Sequence, residues 1–179
     1  MLEIVIPCTE LWDDENQEFI NIQEQKLSLE HSLVSISKWE AKWHKAFLSK
    51  EKKTEEEMID YIKCMALTQK VDPNVYRCLN QKILKEIEDY IYDPMTATTI
   101  NDRSNTKSRE IVTSEIIYYW MISLGIPVEF QKWHINRLMT LIQVCNIKNK
   151  PNKKMSRKEI YSRNAALNAA RKAKMNSNG

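Results

Sequence analysis

The chain has 179 residues and a mass of 21.2 kDa, with 42% hydrophobic and 28% charged residues, the composition of a globular domain that can bury a core. Two Gly and five Pro are too few for collagenous, linker-dominated or β-sandwich classes, and no apolar run approaches the roughly 18 residues that span a membrane. The net charge of +3 hides a split: residues 148–179 hold ten Lys or Arg against the single acid Glu159, giving +9, and residues 1–147 carry −6.

From the N-terminus, Met1 to Pro7 lacks the basic and apolar regions of a secretion signal, so a cytoplasmic protein is expected. Leu2 to Ile6 alternates and is rich in Ile and Val, which predicts a strand ended by Pro7. Asp13-Asp14-Glu15-Asn16 is a polar turn between Glu10-Leu11-Trp12 and Glu18 to Ile22, the pattern of a hairpin. Lys26 to His31 alternates at period two and adds a further strand, so residues 1–31 read as a small antiparallel sheet.

Helical spacing then takes over for residues 32–147. Leu33, Ile36, Trp39, Trp43 and Phe47 recur three or four apart and predict one helical face. Thr54-Glu55-Glu56-Glu57 is a capping box whose acidic first turn suits the positive end of the helix dipole. Behind it Met58, Tyr61, Ile62, Met65 and Ala66 form an apolar stripe. A helix over Lys82 to Tyr92 turns Ile83, Ile87, Tyr90 and Ile91 inward and closes at Asp93-Pro94. Asp93 to Ser108 is polar and without period, a long surface loop.

Arg109 to Leu124 is densely apolar and reads as the central buried helix. Gly125 stops it, and Pro127 opens a helix that carries Phe130, Trp133, Ile135, Leu138, Leu141, Ile142 and Cys145, which makes a tight helical hairpin. Past Ile147, Lys148 to Lys154 is a linker by composition. Ser156-Arg157-Lys158-Glu159 is a second capping box, and Ile160 to Lys174 follows as a short helix that is marginal in isolation and needs a partner or another subunit to order it. The fold class is therefore α+β, mostly α: one domain over 1–147 and a basic linker with a helical tail over 148–179.

Catalytic and ligand-binding motifs are missing from the sequence. There is no phosphate-binding glycine loop, no nucleophile elbow and no HExxH. Cys8, Cys64, Cys78 and Cys145 form no CxxC pair, and His31, His44 and His134 lie near none of them at metal-ligand spacing, so free buried thiols are expected. Glu55, Glu56 and Glu57 read as a solvated first turn. His44 beside Trp43 and His134 beside Trp133 read as partly buried packing residues, since no nucleophile accompanies them. The expectation is a non-enzyme with no cofactor and no metal.

Two features point to partners. Trp120, Trp133, Phe130 and Tyr119 put a large aromatic area on the helical hairpin, which core packing or a groove for a partner peptide would use. The basic tail suits either a docking peptide or a salt-sensitive nucleic-acid arm, but Tyr161 is its one aromatic, so it lacks a stacking platform for single strands. Its helix spaces its charges around the axis and not along one stripe. Trp120, Phe130, Trp133, Arg137, Arg163, Arg171 and Lys172 are the candidate binding residues.

Ser123-Leu124-Gly125-Ile126-Pro127 through Phe130, Trp133, Arg137-Leu138 and Ile142 resembles the C-terminal hairpin of tail assembly chaperones of long-tailed bacteriophages. The ending Arg163-Asn164-Ala165-Ala166-Leu167-Asn168-Ala169-Ala170-Arg171-Lys172 is similar to the basic, Ala- and Asn-rich ends of small phage proteins. The resemblance covers the last third of the chain. It implies binding to the tape-measure protein during tail assembly in the host cytoplasm, without catalysis or cofactor. The alternatives are a virion structural protein, such as a head–tail connector or capsid-associated protein, and a nucleic-acid binder acting through the tail. Homo-oligomers fit each of these readings.

Overall fold

Strands β1 (Leu2–Ile6) and β4 (Gln25–Leu29) pair antiparallel, as do β2 (Thr9–Asp13) and β3 (Glu18–Ile22). The computed structural model describes residues 1–13, 17–100, 111–149 and 156–175. The expected small sheet is two separate two-stranded ladders. Their register is nevertheless continuous, with Ile6 opposite Gln25 and Thr9 opposite Ile22. One long ribbon is thus interrupted where Pro7, lacking an N–H, cannot donate to a ladder.

The interruption also changes which face meets the core. In β1 and β4 the buried residues are Ile4 and Ile6 with Leu27 and Leu29. Beyond Pro7 the inner face passes to Leu11, Ile20 and Ile22, and the opposite face, with Trp12 beside Phe19, points outward.

Helix α1 (Leu33–Trp43) starts at a capping box between Ser32 and Ser35 and ends where His44 takes a left-handed conformation at φ 53°. Phe47 therefore lies outside the helix, contrary to the expected stripe, because the chain turns at His44 while the four-residue spacing continues. It still reaches the core, stacking on Tyr61 with ring centroids 3.9 Å apart. His44 is an exposed helix cap and not a packing residue.

Helix α2 (Glu55–Met65) has the expected capping box: the Glu57 amide donates to the Thr54 hydroxyl at 3.2 Å and Glu57 Oε2 accepts from the Thr54 amide at 2.8 Å. Glu57 itself is buried, a correction to the solvated turn, because its other oxygen pairs with Lys45. Trp39 donates from Nε1 to the Glu57 carbonyl at 2.8 Å, tying α1 to α2. After a 3-10 turn at Pro73–Cys78, helix α3 (Gln81–Tyr92) buries Ile83, Ile87 and Tyr90 as its spacing requires. Residues 93–100 have no regular structure, and the rest of the expected loop lies outside the described residues.

Helix α4 (Ser114–Ser123) corrects the reading of a central buried helix. It starts after an irregular segment, Ile111–Thr113, and buries only Ser114, Ile117 and Met121. An all-round apolar helix has no polar side to mark its solvent face, so a dense apolar sequence does not by itself report burial. Thr113 gives no side-chain cap; the buried Glu40 supplies it from α1, accepting the Ser114 amide at 2.8 Å and the Phe47 amide at 2.8 Å.

Helix α5 (Ile135–Asn149) buries Ile135, Leu138 and Ile142. It runs past Ile147, so Lys148 and Asn149 are helical and not linker; 150–155 lie outside the described residues. Helix α6 (Arg157–Met175) is exposed along its whole length. Its first turn is capped as expected, with the Glu159 amide donating to the Ser156 hydroxyl at 3.2 Å and Glu159 Oε2 accepting from the Ser156 amide at 2.7 Å.

The fold is α+β and mostly α, with 57% of the described residues in helix, 3-10 turns included. The chain divides into two compact units, Met1–Ile147 and Lys148–Gly179. None of the four cysteines is fully buried, and Cys8 is exposed because the link after β1 lies outside the core.

Candidate functional site

The connection between α4 and α5 is longer than a tight hairpin. Gly125, at φ +64°, ends α4 in a Schellman arrangement: its amide donates to the Ile122 carbonyl at 3.1 Å and the Ile126 amide to the Met121 carbonyl at 2.8 Å. Pro127 then opens a 3-10 turn, Val128–Lys132, and not α5 itself. Phe130 thus sits on that turn and Trp133 beyond it, two residues before α5 begins. The Tyr118 hydroxyl donates to Gln131 Oε1 at 2.9 Å and fixes the turn against α4.

This geometry stacks three of the candidate residues. The rings of Phe130 and Trp133 lie 4.2 Å apart and within 16° of parallel. The Arg137 guanidinium sits 4.0 Å from the Trp133 ring centre, one helical turn further on, in a cation–π contact. Trp120 does not join the stack but packs half-buried against the core. On α4 Ile122 is 79% and Tyr119 67% exposed, three residues apart in sequence, and on the turn Val128 is 56% exposed. Exposed large apolar side chains of this kind are candidates for an interaction surface when they are contiguous. Tyr119 belonged to the aromatic set legible in the sequence. Ile122 and Val128 did not; the outward orientation of α4 exposes the first and the 3-10 turn the second.

The remaining candidates, Arg163, Arg171 and Lys172, lie on α6 in the second unit. Arg163 and Arg171 share a face with Ile160, Leu167 and Lys174, at spacings of three and four residues, and Lys172 does not. Arg157, Lys158 and Lys172 lie off that face, so the charges of the tail helix are spread around its axis.

A second, interior cluster was not read from the sequence. His31 and His134 meet with ring centroids 5.0 Å apart, and both are buried. The Tyr61 hydroxyl and His31 Nδ1 share a hydrogen bond. His134 donates from Nε2 to the Tyr90 carbonyl at 3.0 Å and accepts the Asn136 amide at Nδ1 across 3.3 Å. The Tyr90 hydroxyl donates to Glu30 Oε1 at 2.7 Å. Burial, and then the neighbouring His134, lower the His31 pKa from 6.5 to about 3. Burial also lowers His134, and burial followed by the Glu30 hydrogen bond raises Tyr90. Both imidazoles are therefore neutral at pH 7. They join the start of α1 to the start of α5, where Ser32 bridges His134 and the Ile135 amide donates to the His31 carbonyl at 2.8 Å. The cluster positions the aromatic surface by fixing where α5 begins.

Beside α1 and α2 an open cleft of about 610 Å³ is lined by Lys42, Trp43, Glu56 and Asp60 among others. Asp60 already accepts from Lys42 and, at 2.9 Å, from Trp43 Nε1. Among the described residues no group of three or more His, Cys, Asp or Glu is placed to hold a metal ion, and no helix is long and apolar enough to cross a membrane. The chain matches no family model, no curated protein and no solved structure.

Proposed function

We propose that the protein is a non-enzymatic assembly factor that covers an apolar helical segment of a partner with the surface formed by α4 and the Val128–Lys132 turn. The observations that support this reading are the exposure of Ile122 and Tyr119 on α4 and the Phe130–Trp133–Arg137 stack that follows it in the chain. Aromatic and Arg side chains are the types that dominate binding energy at protein interfaces. Stacking holds Trp133 and Arg137 in place before a partner arrives, which lowers the entropy lost on binding. The resemblance to tail assembly chaperones of long-tailed bacteriophages names the partner: a tape-measure protein, whose helices expose apolar faces before the tail tube closes around them.

Ile122→Glu tests the surface with little effect on the fold, because that side chain is mostly solvated. Binding to a helical tape-measure fragment should weaken by about a hundredfold, the scale of losing a central interface anchor, with the melting temperature unchanged. Unchanged affinity would remove this surface from the function.

The exposure of α6 with its basic residues favours a second reading, a nucleic-acid arm. Duplex DNA binding that falls steeply with salt and disappears with residues 148–179, without any protein binding, would establish that reading in place of the first.

A further inference from the structure

Helix α6 carries six Lys or Arg against the single acid Glu159, and every one of its residues is exposed. Side-chain type changes in order around its axis. At about 100° per residue, Arg157, Asn164, Asn168 and Arg171 fall within about 60° of one another, a strip that runs for about four turns. Lys158 and Lys172 lie on one flank of this strip and Lys174 on the other. Opposite it are Glu159, Ser162, Ala166, Ala169 and Ala173.

Helix stability does not explain this arrangement. Asn is a poorer helix former than Ala, Lys or Arg, yet Asn164 and Asn168 occupy mid-helix positions one turn apart, where they bury nothing. Nor does the helix have the form of an apolar docking peptide. Ile160 and Leu167 give one pair seven residues apart, but Arg171 and Lys174 take the positions where the next anchors would fall.

Duplex DNA fits the whole pattern. Its major groove is about 12 Å wide and admits a helix of about 10–12 Å diameter. A helix lying there needs hydrogen-bonding groups toward the base edges and cations toward the phosphates on both walls. Asn offers two hydrogen bonds to the N6 and N7 of adenine, and Arg two to the O6 and N7 of guanine. The +9 of residues 148–179 complements the phosphate charge, and the one acid of the helix points away from it.

We infer that α6 reads duplex DNA in the major groove, with Arg157, Asn164, Asn168 and Arg171 on the base edges and Lys158, Lys172 and Lys174 on the phosphates. The inference rests on the reading of the tail as a nucleic-acid arm and is independent of the α4 surface. It adds a sequence preference to what charge alone would bind.

The test uses the full chain to select from a pool of random duplexes of about 20 base pairs, longer than the helix, at about 0.1 M salt. Enrichment is expected, with the selected duplex bound about tenfold or more tighter than the starting pool. Asn164→Ala with Asn168→Ala keeps the charge and favours the helix, so a purely electrostatic arm would bind as before. That variant should instead lose about tenfold on the selected duplex and nothing on the pool. Lys158→Gln with Lys172→Gln should weaken both alike and flatten the fall of affinity with salt. Glucosyl groups carried on cytosine C5 of the selected duplex, which fill the major groove without altering charge, should abolish the preference. A pool that does not enrich would overturn the inference, and so would a preference that survives the double Asn change or the glucosyl groups. Salt-sensitive binding that is blind to sequence, or duplex RNA bound as tightly as DNA, would leave the nucleic-acid arm standing and remove the groove reading, since the deep, narrow major groove of RNA does not admit the helix. No duplex binding at all would overturn both and leave the tail to an acidic protein partner.

Discussion

Helices α1 and α6 are both capped by Ser at the N-cap, yet they are held in opposite ways. The eleven residues of α1 bury Leu33, Ser35, Ile36, Trp39 and Glu40, so packing sets its position and its stability. The nineteen residues of α6 bury none; the Ser156–Glu159 box caps their first turn, and Ala, Arg and Lys favour the helix. A helix of the first kind is fixed by the fold. A helix of the second kind is exposed along its length, which is what the proposed binding role of the tail would use.

The comparison breaks hardest at Trp39. It is almost fully buried, stacks with its ring centroid 6.2 Å from that of Trp43, and donates to the Glu57 carbonyl. Trp39→Ala should cost about 3–5 kcal/mol in chemical denaturation, and a loss below about 1 kcal/mol would deny that packing positions α1.

Acid comes next, because it attacks the first unit through its buried imidazoles. The unfolded chain takes up a proton at His31 near pH 6.5, whereas the folded chain resists until about pH 3. Stability is therefore complete above pH 6.5 and falls as the pH drops toward 3, by about 2 kcal/mol at about pH 5 from His31 alone. His134 adds in the same direction. Denaturation midpoints measured across this range should slope accordingly, and His31→Gln should flatten the slope. A slope unchanged by that substitution would place the acid sensitivity elsewhere.

The smallest effect belongs to the tail. Ending the chain at Ile147 should shift the melting temperature of the dilute protein by less than about 3 °C, roughly what 1 kcal/mol does in a domain of this size. A much larger loss would make α6 part of what stabilises residues 1–147.

Local signals in the sequence gave the local structure. The strand Leu2–Ile6, the hairpin around residues 13–18, the stripe of α3 and both capping boxes depend on neighbours within a few positions, and the sequence displays them. The misreadings share one cause, which is that burial is decided by distant residues. The spacing from Trp43 to Phe47 looks helical, but His44 turns the chain between them. Helix α4 is apolar on every side, so nothing local shows that Ile122 faces outward. Its N-terminal cap comes from Glu40, 74 residues earlier, and His31 and His134 come together only in the fold. Of the candidate binding residues, Phe130 and Trp133 were legible as an aromatic pair, whereas their stacking with Arg137 required the 3-10 turn that no motif announced.

The division of labour between the two units is tested most directly by titrating a helical tape-measure fragment against the full chain and against residues 1–147 at about 0.5 M salt, where surface charge is largely screened. The account predicts that both bind with affinities within about threefold of each other, because the apolar surface around Ile122 supplies the energy and the tail mainly speeds encounter. Binding lost on removal of residues 148–179, or lost at that salt concentration with the full chain, would contradict it.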